Sequence, residues 1–322
     1  MNHGNCCPPP CLVLGGRGSS LSQAQLQEVT KQLIQLQPQL QITQRTIHTT
    51  GDRLQHLPLP QIGQKGMFTD RLARALQLGD IDAAVHSYKD MALAPNAALP
   101  IAAVLPRVHA ADALVSRHQL PLQRLPAGSC VGTSSPRRAA LLLHARPDLR
   151  VADVRGNLDT RMAKLDSSNT QFDAIIVAYC GLQRLGLSQR ATEIFDPTSW
   201  PPAPAQGALA LQCCQQPQLL QLLHNLHHPI THLETLAERA FLAALGGGCG
   251  LPIGAYGHYS DGYLTLHASV LSANGSQRID LRAQSACVAD NTQQSQHVAQ
   301  QLGDHLGQQA KKQGAQNLID PR

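Results

Sequence analysis

Aromatic side chains are scarce in this sequence, with four Phe, five Tyr and one Trp among 322 residues. A surface that stacks on nucleic-acid bases needs such rings, and at a formal charge of only +5 the chain also lacks the cation density of a nucleic-acid binder. Charged residues are few as well, 15% against 43% apolar, which describes a folded protein with an aliphatic core. Also missing is any apolar run near the roughly 20 residues that cross a bilayer. The stretch from Asp173 to Leu182 comes nearest and is broken by polar residues at both ends. Met1 to Pro10 carries no Lys or Arg, and Cys11 to Leu14 is too short for the core of a signal peptide, so a cytoplasmic protein with no membrane partner is expected. Nine cysteines scattered from Cys6 to Cys287 make no disulfide framework and are expected to be reduced. Cys6, Cys7 and Cys11 resemble half of a metal site, but no second half follows and no metal is expected.

The length exceeds what one hydrophobic core supports, so two or three domains are expected. Cys11 to Leu14 reads as a strand, Gly15 to Ser19 as a glycine turn, and Leu26, Val29, Leu33 and Leu36 as a helix that Ser22 and Gln25 cap and Pro38 closes. Further apolar segments follow, a helix at Phe68 to Leu76 and strands at Ala83 to Val85 and Ile101 to Leu105. The pattern restarts near Ser129 with strand, turn and helix, and continues in strands at Val151 to Val154 and Ala174 to Ala178. Such alternation predicts an α/β fold with parallel or mixed sheets covered by helices. Pro197 to Pro204 must be an extended linker. Beyond it a helix around Leu233 to Ala244 stops at Gly246, Leu264 to Val270 alternate as an antiparallel strand, and a helix is expected around Val298 to Leu306. The last third is therefore α+β.

Five segments carry chemistry. Gly132-Thr-Ser-Ser-Pro-Arg-Arg138 places hydroxyls and unpaired amides at a helix N-terminus with two guanidinium groups one turn in, a layout that attracts anions. Arg17-Gly-Ser19 repeats it in the first domain. A capped helix with solvated arginines is the plainer reading of either motif alone, but two in succession point to an anion held from both sides. Arg155-Gly-Asn-Leu-Asp-Thr-Arg161 follows a strand at the sheet edge where α/β ligands bind, and Arg184 adds a further cation. His86-Ser-Tyr-Lys89-Asp90 ends a buried strand with an ammonium beside a carboxylate, which is either a structural ion pair or a group for acid–base chemistry. Finally, Cys249 stands among Gly246, Gly247, Gly248 and Gly250, a setting that packing does not call for and a covalent tether would use.

In this order these segments, with Ala237-Glu-Arg-Ala-Phe-Leu242, resemble the hydroxymethylbilane synthase (porphobilinogen deaminase) family from about Leu12 to the end. The resemblance implies two periplasmic-binding-protein-like α/β domains with mixed sheets and a smaller α+β domain. Their expected extents are 1–106, completed by about 207–224, then 107–206, and 228–322. It implies a monomeric enzyme that condenses porphobilinogen head to tail with loss of ammonia and hydrolyses off the linear tetrapyrrole. Cys249 would hold a dipyrromethane cofactor by a thioether, and Asp90 would be the catalytic carboxylate beside a cationic azafulvene-like intermediate. Lys89, Ser134, Arg137, Arg138 and Arg155 would bind the cofactor. Arg17, Ser19, Arg155, Arg161 and Arg184 would bind substrate carboxylates, and Lys65 and Phe68 would belong to a loop over the cleft.

The chain departs from the family pattern at Gln61, Ala92, Ala205, Gln212 and Cys214, and Val108 to Ala111 lacks the acidic and proline residues expected there. Two other classes compete with the enzyme. A small-anion receptor would share the two α/β domains but has no use for Cys249, and a nucleic-acid binder is disfavoured by the scarcity of aromatics.

Overall fold

The computed structural model describes residues 11–47, 70–94, 96–248 and 250–319. They divide into two compact units, one from the chain up to Pro106 with Leu209–His228, the other from Arg107–Ala208 with Pro229 onward.

The first unit opens with β1 (Cys11–Arg17), α1 (Ser20–Leu36) and β2 (Gln41–Ile47). After α2 (Asp70–Gln77) come β3 (Ala83–Ser87) and β4 (Ile101–Val104), and the chain returns much later with β10 (Leu209–Cys213) and α6 (Pro217–His224). The sheet order is β2-β1-β3-β10-β4. β1 lies parallel to β2 and β3, while β10 runs antiparallel to β3 and β4. Leu26, Val29 and Leu33 of α1 bury against Leu12, Leu14, Ala83 and Val85 on one face, and Leu72, Ala75 and Leu76 of α2 cover Ile81 and Ala84 on the other.

Gly15 and Gly16 do not turn the chain, as the sequence suggested, but continue β1 to Arg17. A β-carbon on Gly15 would collide with Ile81 and one on Gly16 with Leu26, so these glycines permit close approach inside the layer. The helix cap moves accordingly. Ser19, and not Ser22, is the N-cap, its hydroxyl accepting from the Ser22 amide at 3.2 Å, while the Ser22 hydroxyl accepts from the Arg17 amide at 2.9 Å.

The second unit carries β5 (Asp112–Ser116), β6 (Cys130–Gly132), α3 (Pro136–Ala145), β7 (Arg150–Ala152), α4 (Leu158–Asp166), β8 (Ala174–Ala178), α5 (Tyr179–Arg184) and β9 (Glu193–Ile194). The order β7-β6-β8-β5-β9 repeats the plan of the first sheet, with β6 parallel to β7 and β8 and with β5 reversed. Its remaining elements are α7 (Pro229–Ala244), the antiparallel sheet of β11 (Ile253–Ser260), β12 (Tyr263–Leu271) and β13 (Arg278–Ala286), then α8 (Gln293–Lys312) and α9 (Ala315–Ile319). Gly303 and Gly307 let α8 approach α7, since side chains there would strike Ala237 and Ala244. No described helix is long and apolar enough to cross a membrane.

A second buried cluster within this unit lay hidden in the sequence. Arg107 Nη2 is 2.8 Å from Glu238 Oε1, and its Nε is 3.7 Å from Glu234 Oε2. Glu238 also accepts from the Ala205 amide at 2.6 Å and the Gly257 amide at 2.7 Å, which ties α7, the linker and β11 together. Burial pushes both glutamate carboxyls upward, against the pull of Arg107.

Ala205 adopts φ +63° and is fully buried. The left-handed region is unfavourable for a residue with a β-carbon. Ala205→Gly should therefore raise stability by about 1 kcal/mol, read as a higher denaturant midpoint at unchanged slope.

Candidate active site

The parallel strands β1 and β3 are neighbours, so their carboxyl ends lie together at one edge of the first sheet. Arg17 ends β1 and Ser19 follows it. At the end of β3, Ser87 exchanges hydrogen bonds with the Gln25 amide, 2.9 Å for Gln25 Nε2 to Ser87 Oγ, which ties this strand end to α1. One tight helical turn, Tyr88–Asp90, comes next. Tyr88 is buried, Lys89 half-buried and Asp90 exposed. The Asp90 carboxylate forms no hydrogen bond or ion pair with the described residues, so the structural Lys89–Asp90 pair does not form.

Beneath this edge lies His86, buried, its pKa lowered to about 4 by desolvation against a weaker opposing hydrogen bond from Gln212. It is neutral under ordinary conditions. Gln212 on β10 and Cys214 just after it each reach a backbone carbonyl. Gln212 donates to the Leu99 carbonyl at 2.9 Å, and the Cys214 thiol donates to the Leu76 carbonyl at 3.3 Å.

In the second unit the parallel strands β6, β7 and β8 end side by side. The loop Thr133–Ser135 leaves β6, and Ser134 Oγ donates to the Val154 carbonyl at 3.0 Å, which joins it to the segment after β7. Ser135 caps α3 and Pro136 starts it. Arg155 follows β7, its guanidinium 3.4 Å from Asp153 and its carbonyl accepting from Lys164 Nζ at 3.0 Å. Arg161 anchors through Nε on the Gly156 carbonyl at 2.8 Å, and Arg184 through Nη2 on the Gly207 carbonyl at 3.2 Å. Gly207, at φ +92°, could carry no side chain because one would strike the His109 carbonyl. Ser134, Arg155, Arg161 and Arg184 thus gather about three neighbouring strand ends, where α/β proteins bind ligands.

Arg137 and Arg138 are placed differently from the expectation. Both are buried, 3% and 6% exposed, and both turn onto Asp112. Arg137 Nη1 donates to Asp112 Oδ2 at 2.7 Å, and Arg138 donates to Oδ1 through Nε at 3.0 Å and Nη2 at 2.7 Å. Gln206 Nε2 at 2.9 Å and Trp200 Nε1 at 3.3 Å complete the shell. Burial favours the protonated form of Asp112, but Arg137 and Arg138 outweigh it and hold the carboxyl well below the usual range. The charges balance to one excess cation at the N-terminus of α3, so the pair contributes field and backbone geometry to this end, with its forks engaged internally.

Cys249, Lys65 and Phe68 lie outside the described residues. Of the glycines before Cys249, Gly246 and Gly247 close the preceding helix, as the sequence suggested. Gly246 donates to the Ala243 carbonyl at 2.9 Å and Gly247 to the Leu242 carbonyl at 3.0 Å, a Schellman closure of α7 with Gly246 at φ +69°. Gly248 has open space where a side chain would stand. Among the described residues no cluster of three or more His, Cys, Asp or Glu is placed to hold a metal.

Two mixed five-stranded sheets of one plan, followed by a three-stranded antiparallel sheet packed with helices, define an α/β protein with an α+β C-terminal part. Residues 12–221 match the family described as porphobilinogen deaminase, dipyromethane cofactor binding domain, and residues 232–308 match porphobilinogen deaminase, C-terminal domain. The chain is 39% identical over 309 residues to the porphobilinogen deaminase of Desulforudis audaxviator (strain MP104C), covering 96% of each chain. It is 40% identical over 317 residues to that of Synechococcus elongatus (strain ATCC 33912 / PCC 7942 / FACHB-805), covering 97% of this chain and 96% of the relative. Among solved structures, the methionine binding protein MetQ overlays at TM-score 0.42 with 14% identity, over 72% of this chain and 94% of that one. The chain belongs to the porphobilinogen deaminase family.

Removing the Asp112 charge leaves two buried guanidinium groups without their partner. Asp112→Asn should lower the unfolding free energy by about 3–5 kcal/mol. Because the folded pKa is depressed, the Asp112 contribution is complete above about pH 4 and fades as pH falls below it. Wild type and variant should therefore converge in stability on acidification, as followed by denaturant unfolding across pH.

Proposed function

We propose that this chain performs the family's reaction with Asp90 as catalytic carboxylate and Cys249 as the point of cofactor attachment. The protein is a transferase of tetrapyrrole biosynthesis, a hydroxymethylbilane synthase with a dipyrromethane cofactor. Each condensation joins the aminomethyl carbon of one porphobilinogen to the free ring carbon of the growing chain. Ammonia departs with the electrons of the C–N bond, and a proton leaves the attacked ring carbon. Hydrolysis at the methylene of the first-added unit finally frees hydroxymethylbilane: the carbon–carbon bond that held that unit breaks, the hydroxyl of water stays on the methylene and a proton takes its place on the ring carbon left behind. The dipyrromethane, when bound, supplies the first such free pyrrole carbon.

The observation that carries the residue assignment is the exposed Asp90, without a hydrogen bond or ion pair among the described residues, on the turn that follows β3. Loss of ammonia leaves a cation spread over the pyrrole ring, and a fixed carboxylate stabilises that charge while accepting from the ring N–H. Support for the cofactor's place comes from the chemistry of the donors. Pyrrole acetates and propionates are carboxylates, and planar guanidinium forks match them in pairs. Lys89, Ser134 and Arg155 would hold the cofactor, with Arg137 and Arg138 reinforcing the field behind Ser134. Arg17, Ser19, Arg155, Arg161 and Arg184 would take the substrate carboxylates, and Lys65 and Phe68 would belong to a covering loop. The enzyme is read as a cytoplasmic monomer whose partner is porphobilinogen, without nucleic acid or membrane.

Asp90→Ala should retain the cofactor and lower the rate of porphobilinogen consumption by about 10²–10⁴-fold. A variant keeping most of the wild-type rate would remove Asp90 from this role. Arg155→Leu should lower the fraction of protein carrying the cofactor, measured by intact mass, whereas full occupancy would make Arg155 a bystander.

A further inference from the structure

A concavity in the second unit, remote in sequence from the residues assigned to the reaction, has its own chemistry. It is about 390 Å³ in volume, and Thr198, Ser199, His267, Arg278, Asp280 and Arg282 line it. The antiparallel register places His267 of β12 directly opposite Arg282 of β13 and opposite Tyr256 of β11. Leu264, Leu266 and Ala268 of β12 are buried on the other face, so Thr265 and His267 present the half-exposed one.

Most polar groups here already have partners. Arg278 donates to Asp280 Oδ1 at 2.8 Å and to the Ser199 carbonyl at 2.8 Å. The Thr198 hydroxyl donates to Asp196 Oδ2 at 2.6 Å, and the Ser199 hydroxyl to the Asp196 carbonyl at 3.3 Å. Arg282 and His267 are the exceptions, since neither makes a hydrogen bond or ion pair with the described residues. The register thus sets a guanidinium beside an imidazole on one face of the sheet, so that protonating the imidazole would bring two cations together.

We propose that this concavity is a binding subsite for a small dianion, inorganic phosphate or a compact dicarboxylate, held by the Arg282 guanidinium and the His267 imidazole. The guanidinium supplies a planar fork for two oxygens, and the imidazole supplies one further N–H. Binding is linked to protonation of His267. Burial, then Arg282, hold its pKa below the ordinary value; Asp196 opposes them and His258 adds to them. The groups facing it are Tyr256 and His258 from β11, Arg282 and Asp280 from β13 and Asp196 from the linker. A dianion beside the ring reverses the balance, so affinity weakens as pH rises through the bound-state pKa. The subsite uses no residue of the proposed reaction and stands or falls separately from it.

The test is a pH titration of the histidine ring protons of the full-length protein by NMR, with the His267 signal assigned through its loss in His267→Gln. Phosphate, glutarate and chloride are compared at constant ionic strength. A saturable rise of the His267 pKa by about 0.5–1 unit in phosphate, in glutarate or in both, but not in chloride, supports the subsite and tells which dianion it takes. Arg282→Gln should abolish the rise, Arg282→Lys should weaken the dianion about tenfold by removing the fork, and Arg190→Gln, on the surface elsewhere, should leave it intact. Circular dichroism establishes that each variant is folded, and if Arg282→Gln is not, Arg282→Lys decides. A rise no larger than in chloride, or one unchanged in the folded Arg282 variant, overturns the proposal.

Discussion

One buried carboxylate organises the second unit. Asp112 draws in Arg137 and Arg138 from α3, Trp200 from the proline-rich linker and Gln206 from its far end, and every donor is within 3.3 Å. A carboxylate without such partners could not stay ionised in an apolar interior, and two adjacent guanidinium groups could not stay buried without it. The arrangement fixes where α3 begins and hence where the amides and hydroxyls of Thr133 to Ser135 stand. Gln206 extends the same network to the Ala110 carbonyl, 2.8 Å away, which holds the linker against the start of β5.

The arginines of this unit therefore divide into two populations with different work. Arg107, Arg137 and Arg138 are buried and paired with carboxylates of the fold. Arg155 follows β7, Arg161 lies in α4 and Arg184 ends α5, each steadied by contacts with Asp153 or with backbone carbonyls. Anchoring of this kind would lower the entropy lost if, as proposed, these arginines take substrate carboxylates. Asp90 is the counterpart in the first unit, a single exposed carboxylate on a strand-end turn whose neighbours are locked by Ser87 and Gln25.

Much of this was legible in the sequence because strand, loop and helix follow one another locally. Ser135 before Pro136 marked the start of α3, the alternation of Leu264, Leu266, Ala268 and Val270 marked β12, and the segment order identified the family. What escaped depends on contacts between distant residues. β10 completes the first sheet from more than a hundred residues away; no local pattern announces its partner β3, and only the family resemblance implied a return of the chain at about 207–224. Gly15 and Gly16 look like a turn until Ile81 and Leu26 are seen against them. The reversal of Arg137 and Arg138 toward the interior needed Asp112, 25 and 26 positions earlier, at the head of an apolar strand. The i, i+4 pair of Glu234 and Glu238 on an otherwise apolar helix face was a visible signal for the Arg107 cluster, and it passed unread.

The most direct test of the central claim is the intact mass of the purified protein under denaturing conditions, with peptide mapping of any added mass. Denaturation strips whatever is not covalently held. A dipyrrole-sized adduct on the peptide containing Cys249, present as isolated or acquired on incubation with porphobilinogen, is the predicted result. A chain that stays bare polypeptide after that incubation, or one that carries the adduct on another residue, would contradict the account.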